Sequence, residues 1–502
     1  MLLKPRDWIP DSRPAPLRAS RSATALMESL FTHVPPQPLP QPHWIARNAS
    51  LARELGLADL LWHDPAGLTR FAGNLPLAHP PTLASVYSGH QFGVWAGQLG
   101  DGRALLLGET LGGLELQLKG SGLTPYSRMG DGRAVLRSSL REYLGSEAMH
   151  ALGVPSTRAL CLVGSPQPVM RERIETAAVV TRVAPSFLRF GHFEHLSHSG
   201  QHDALRNLAD HVIARFYPEL KQALQPYVAL LEAIALRTAD LVAQWQAVGF
   251  CHGVLNTDNM SVLGLTLDYG PFQFLDAYDP THICNHSDTG GRYAFNQQPG
   301  VVLWNLHALG HAMLPLLDAD WAKVQHTLQC YEPRLASRWL RIMQAKMGLA
   351  DALDPVANAD TARDTVDRKL INSLLELLAR QRVDYCAFWA SLTDWSLQGD
   401  PSALHALFED PAALQPWLLQ FQERRSQIAP ALAAQFMSAS NPRLILRTHL
   451  AELAIQAAEA GDFSIAEQLL TALQQPFHAP ANPTWTQPAP SWARTLVLSC
   501  SS

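Results

Sequence analysis

Charged side chains are scarce in this 502-residue chain: 17% are Asp, Glu, Lys or Arg, against roughly a quarter in ordinary soluble domains. A charge inside an apolar stretch therefore calls for a specific partner. Positive charge is not in excess either. Lys+Arg 39 against Asp+Glu 44 leaves a net −5, so neither nucleic acid nor a membrane surface is expected as a partner, although a local basic pocket is compatible with that balance. Cysteine is sparse and scattered: Cys161, Cys251, Cys284, Cys330, Cys386 and Cys500 form no C-x-x-C pair. That argues against a structural zinc site and a disulfide framework and fits a reducing compartment. Long hydrophobic runs are missing as well. The best, Val228 to Leu236, is broken by Glu232, whereas a membrane span needs about 18 apolar residues. The amino-terminal stretch has no apolar signal core, and Asp7, Asp11 and Glu28 argue against an organellar leader despite Arg13, Arg18 and Arg21. The expectation is a cytoplasmic protein.

What is abundant is apolar residues, 47% of the chain, which excludes a disordered polymer; the length suits about three domains, or one two-lobed core with additions. Residues 34–42, VPPQPLPQP, hold five prolines and can only be an extended connector or surface wrap. From Val94 the sequence VWAGQLGDGRALLLGETLGGLELQLKGSG reads as a three-stranded antiparallel meander with turns at Gly100-Asp101-Gly102 and Gly112-Gly113. Its last strand ends in Lys119, on the face of Glu115 and Gln117. A helix follows over about Val135 to Leu152, with Leu136, Leu140 and Leu144 on one stripe and Glu142 off it. ALCLVG and AAVVTRVA read as strands. Leu231, Ile234, Thr238, Leu241, Val242 and Trp245 mark a long helix ending near Gly249, and 301–475 reads as helices separated by Pro and Gly. Gly-Asp-Gly-Arg-Ala occurs at both 100–104 and 130–134, too few copies for a solenoid.

A glycine-rich loop, a Lys closing the next strand and a Glu on the following helix repeat the order of parts in the amino lobe of a protein kinase. Glycines let backbone N–H groups approach phosphate, the ammonium neutralises it, and the carboxylate of Glu142 holds the ammonium. By themselves such residues more often mark only a plain hairpin; Glu142 either pairs with Lys119 or faces solvent and leaves Glu147 to do so. The carboxy half extends the pattern: His252-Gly253-Val254 followed by Asn259 has catalytic-loop spacing, and Asp268-Tyr269-Gly270 stands where a metal-binding Asp-Phe-Gly would fall. Asn259 and Asp268 offer the oxygen ligands Mg²⁺ prefers. The kinase base would sit at position 254, where Val254 cannot accept a proton; Asp258 is the nearest replacement. The expected fold is α+β, two-lobed and protein-kinase-like, with an antiparallel sheet in the amino lobe, a helical carboxy lobe and additional helices. The expected map is an extension with its Pro-rich connector packing on the core over 1–80, the sheet lobe with Lys119 over 81–200, the lobe with catalytic and metal loops over 201–330, additional helices over 331–475 and a tail with Cys500 over 476–502.

The stretches YSGHQFGVWAGQLGDGRA (87–104), LKGSGLTPYSRMGDGRAVLRSSLREYLGSEAMHALGVPSTRAL (118–160), HGVLNTDNMS (252–261), LDYGPFQFLDAYDP (267–280), CNHSD (284–288) and the terminal SCSS strongly resemble the selenoprotein O family. The resemblance implies a kinase-like fold that binds its nucleotide inverted, and an enzyme transferring AMP from ATP to Ser, Thr or Tyr hydroxyls of proteins. It implies ATP contacts for Gly100, Gly102, Arg103, Lys119, Asp131, Gly132, Arg182, Arg189 and Asp268, a base in Asp258, and Mg²⁺ or Mn²⁺ held by Asn259 and Asp268. Cys500 occupies the place where some relatives carry selenocysteine, and the resemblance implies a redox link to Cys284. Arg182 lies in an apolar run and Arg189 between aromatics; each demands an anion, which is either a phosphate or a carboxylate such as Glu142, Glu172 or Asp131. Gripping β- and γ-phosphates while the α-phosphorus meets a hydroxyl needs cations deep in the site. Two other readings remain beside AMP transfer: an atypical kinase using Asp258, and a nucleotide-binding pseudokinase scaffold without turnover. Choice of ATP or UTP, acceptor identity and oligomeric state are not legible.

Overall fold

The computed structural model describes residues 17–75, 82–350 and 362–498. It is an α+β architecture: one nine-stranded antiparallel sheet and a large set of helices. The strands are β1 (Phe31–His33), β2 (His43–Arg47), β3 (Leu83–Gln91), β4 (Val94–Gly100), β5 (Ala104–Glu109), β6 (Glu115–Lys119), β7 (Ala134–Val135), β8 (Arg158–Met170) and β9 (Ile174–Ala184). The order is β1-β3-β5-β6-β9-β8-β2, with β4 on β3 and β7 on β9. The short β1 and β2 come from the segment read as an extension and sit at the two ends of this order. Three and five residues are too few to show a period, so the sequence could not announce them.

The meander is corrected in one respect. β5 and β6 pair as expected, but Gly100-Asp101-Gly102 is not a hairpin turn: Val86 pairs with Gly100 and Leu83 with Leu106, so β4 and β5 run on along the same partner, β3. The three residues form a bulge between them. Its gap in the ladder is filled by Asp101, whose Oδ2 accepts from Ser85 N at 3.0 Å and from Ser85 Oγ at 2.7 Å. The real hairpin turn lies earlier, at Phe92-Gly93.

Helix Leu136–Ala151 packs beneath β8 and β9 and is buried on nearly every side, Glu142 included. Helix Pro226–Val248 ends where expected, on Gly249 with φ 74°, a left-handed cap that glycine adopts without strain. Beyond it, Phe250–Cys251 and Gln273–Phe274 form a two-stranded ribbon that frames the intervening segment, 252–272. The proline segment is a strap, with Leu39 fully buried; Arg133 fastens it by donating to Gln37 O at 3.1 Å and Pro38 O at 2.8 Å. Among the described residues no helix is long and apolar enough to cross a membrane.

Candidate active site

A cavity of about 690 Å³ opens between the sheet and the loops that follow helix Pro226–Val248. Gly100, Gly102, Arg103, Lys119, Asp131, Gly132, Glu142, Arg182, Arg189, Asp258, Asn259 and Asp268 all line it. Residues 168 positions apart in sequence thus share one wall. Both Gly-Asp-Gly-Arg copies contribute, flanking the 120–127 segment: Gly120 N donates to Arg103 O and Gly122 N to Gly132 O. Glycine is required here by space. A Cβ on Gly100 would come 2.6 Å from the Tyr126 ring, and one on Gly132, at φ 72°, 2.2 Å from the Gly122 carbonyl carbon.

Lys119 leaves the end of β6 and donates to Glu142 Oε2 at 2.5 Å, with Asp268 Oδ1 at 3.4 Å. The choice between the two glutamates is thereby settled, because Glu147 is taken by Arg158 in a two-point pair at 2.7 and 2.9 Å. Arg182 comes from β9 with its side chain 2% exposed; it bonds Asp268 Oδ1 and Gln117 Oε1, and lies 3.4 Å from Glu142 Oε1. Arg189 bonds Asp268 Oδ2 and the carbonyl of Asp258, the latter at 2.8 Å. Three cations therefore converge on one carboxylate. Burial would push the Asp268 carboxyl up, but Arg189, Arg182 and Lys119 outweigh it and hold it well below the usual carboxylate range. Asp268 itself has φ 57°, a conformation uncommon for a residue with a side chain and favoured at sites where geometry is constrained by function. Burial lowers the pKa of Lys119 despite Glu142 and Asp268. It also lowers that of Arg103, which has no carboxylate within ion-pair distance among the described residues.

Asp258 lines the cavity from the short 3-10 turn Thr257–Asn259. Its Oδ2 accepts from Gln91 Nε2 at 3.2 Å, while Oδ1 is buried without a partner. Burial, with a further push from the Asp268 charge, drives its pKa up to about 6 against the pull of Arg189 and Gln91. Asn259 donates to Val254 O at 2.9 Å, which commits its amide nitrogen and leaves its oxygen as the ligand atom. Carboxylate oxygen from Asp268 and amide oxygen from Asn259 fit a hard divalent cation that takes its remaining ligands from phosphate and water. His252 is structural, its ring bonded to Leu267 O at 3.1 Å.

Asp131 lines the cavity but is held by Arg171 at 2.7 and 3.0 Å. Gln91, Gln117, Tyr126 and Arg171 escaped the sequence reading. Of these only Gln117 carried a signal, its alternation with Lys119 on one strand face. Cys284 lies outside the cavity behind the catalytic loop, with its Sγ 3.3 Å from that of Cys251. The tail reaches the segment that carries Cys284, since His286 N donates to Leu498 O at 2.8 Å; Cys500 falls outside the described residues.

Guanidinium and ammonium groups crowded round one carboxylate, with an open cavity in front of them, suit an enzyme that grips a polyphosphate. A family model described as Protein adenylyltransferase SelO matches residues 17–474. The chain is 56% identical over 486 residues to Protein nucleotidyltransferase YdiU of Albidiferax ferrireducens, covering 96% of each. It is 53% identical to that of Variovorax paradoxus, covering 97% of each, and 48% identical to that of Ralstonia nicotianae, covering 100% of this chain and 98% of the relative. The chain belongs to the SelO family, and it is a nucleotidyltransferase.

Proposed function

We propose that the protein transfers AMP from ATP to Ser, Thr or Tyr hydroxyls of other proteins, releasing pyrophosphate, in a kinase-like two-lobed frame that binds ATP inverted. The observation that carries this reading is the convergence of Lys119, Arg182 and Arg189 on Asp268 in the cavity wall. Buried cations beyond the metal ligands suit a leaving pyrophosphate better than a γ-phosphoryl on its way out to an acceptor. The glycine loops and Arg103 then cradle the rest of the triphosphate. Mg²⁺ or Mn²⁺ would be held by Asn259 and Asp268, and when bound it would neutralise charge developing on the phosphates.

Within this frame Asp258 accepts the hydroxyl proton. Its raised pKa places it nearer neutrality than an ordinary aspartate. Arg189 ties the Asp258 carbonyl to Asp268 and so holds base and metal ligand in one register. Glu142 positions Lys119. The test uses ATP labelled at the α- or the γ-phosphate, with Mg²⁺ or Mn²⁺ and protein acceptors. Covalent label from the α position alone is expected; label from γ alone would make the protein a kinase, and none from either a scaffold.

A further inference from the structure

The hairpin joining β3 to β4 closes on two residues, Phe92 and Gly93, with φ of 51° and 82°. Such turns take Asn, Asp or Gly first, because a bulky side chain at positive φ costs about 1 kcal/mol or more. Phe92 is nevertheless held there. Its N–H donates to Asn256 Oδ1 at 3.1 Å and to Tyr293 OH at 2.9 Å. The residue is 38% exposed, and its ring stands 4.9 Å from that of Tyr293. A strained aromatic that is left partly in water and pinned to the catalytic loop has no evident stabilising role.

Its surroundings extend the pattern. The Arg292 guanidinium lies 3.3 Å from where a Gly93 Cβ would stand and 5.0 Å over the Trp304 ring. Among the described residues no carboxylate comes within ion-pair distance of it, and its Nε is buried without a partner. Trp304 meets His90 at 5.2 Å, and His90 meets Trp95 at 5.1 Å. Trp304 is 38% exposed, Trp95 37% and Val94 71%. The result is a continuous apolar and aromatic surface carrying one uncompensated cation. It begins at the cavity mouth, where Gln91 of the same hairpin bonds Asp258.

We propose that this surface docks the acceptor protein, through a segment in which a carboxylate side chain meets Arg292 and an apolar side chain packs on Phe92 and Trp304, close to the hydroxyl residue. The choice of occupant rests on the AMP-transfer reading. Charge complementarity specifies the carboxylate, and continuity with the Asp258 wall of the cavity specifies the acceptor side of the reaction.

Two fluorescein-labelled Tyr peptides, identical except for Glu or Lys beside an apolar residue next to the Tyr, are titrated by anisotropy against the full chain with a non-hydrolysable ATP analogue. The same peptides are then offered as acceptors with α-labelled ATP. The Glu peptide should bind about tenfold more tightly. Phe92→Asn and Arg292→Glu should each weaken it about tenfold, with affinity for the analogue unchanged in Arg292→Glu, which lies outside the cavity lining, and Arg292→Glu should favour the Lys peptide. Asn suits positive φ, so Phe92→Asn should not lower the melting temperature; if Arg292→Glu fails to fold, that variant and the peptide pair still decide. Equal binding of the two peptides, or wild-type binding by Phe92→Asn, overturns the proposal. So does a dimer seen in sedimentation that Phe92→Asn dissociates, since a second copy would then be the occupant. A protein that binds the Glu peptide yet transfers no AMP refutes the reaction and supports the surface. AMP transfer indifferent to both variants does the reverse.

Discussion

Asp258 combines burial, an unpaired oxygen and a nearby negative charge, and its stability cost follows from them. Its pKa in the folded protein is about 6 against an ordinary 3.8. For an acid with a raised folded pKa, the contribution to stability is fully present below 3.8 and lost as pH rises through 6. In metal-free protein with chelator, Asp258→Asn should therefore be increasingly more stable than the parent between pH 4 and pH 7, by up to about 3 kcal/mol. Urea denaturation of both proteins across that window measures it; a pH-independent difference would contradict the assignment. The same substitution should lower AMP transfer by about 10²-fold or more. Asp258, Lys119 and Asp268 were legible because each lies in a motif with fixed spacing. The pairing of Lys119 was not. Glu142 and Glu147 point about 140° apart on one helix, and only the packing of that helix against the sheet decides which of them meets the ammonium.

Strands and loops show where pattern reading stops. Helices such as Pro226–Val248 were readable from period and cap together. Gly100-Asp101-Gly102 is a bulge where the sequence predicts a hairpin turn, because a bulge and a turn draw on the same residues; the partner strand distinguishes them, and β3 lies outside the window. The second copy of the motif is the sharper test of what the glycines do. Gly132→Ala adds a strained φ costing about 1 kcal/mol and a methyl aimed at the Gly122 backbone. Fluorescent nucleotide titration should show affinity lowered about tenfold or more, while the helical part of the molecule, monitored by circular dichroism, keeps its content. Unchanged affinity would mean that this loop does not approach phosphate.

Across the whole molecule, the tail reaches the loop behind the catalytic segment through His286 and Leu498. Under mild oxidation with a peroxide, peptide mapping of non-reduced protein should recover Cys284 linked to Cys500, as the family resemblance implies. Cys251, with its Sγ 3.3 Å from that of Cys284, is the competitor, and a Cys251–Cys284 peptide alone would refute the tail latch. The chain's residue types and spacings were enough to anticipate an α+β protein and the glycines, lysine and aspartates that line its cavity, since periodicity, turn chemistry and motif spacing are local properties. Tertiary packing alone brought Arg182, Arg189 and Lys119 onto Asp268, chose Glu142 over Glu147, and set Phe92 in the cavity lining with Arg292 beside its hairpin. Those outcomes depend on the distances between segments far apart in sequence, which burial and strand pairing fix only when the entire chain has folded.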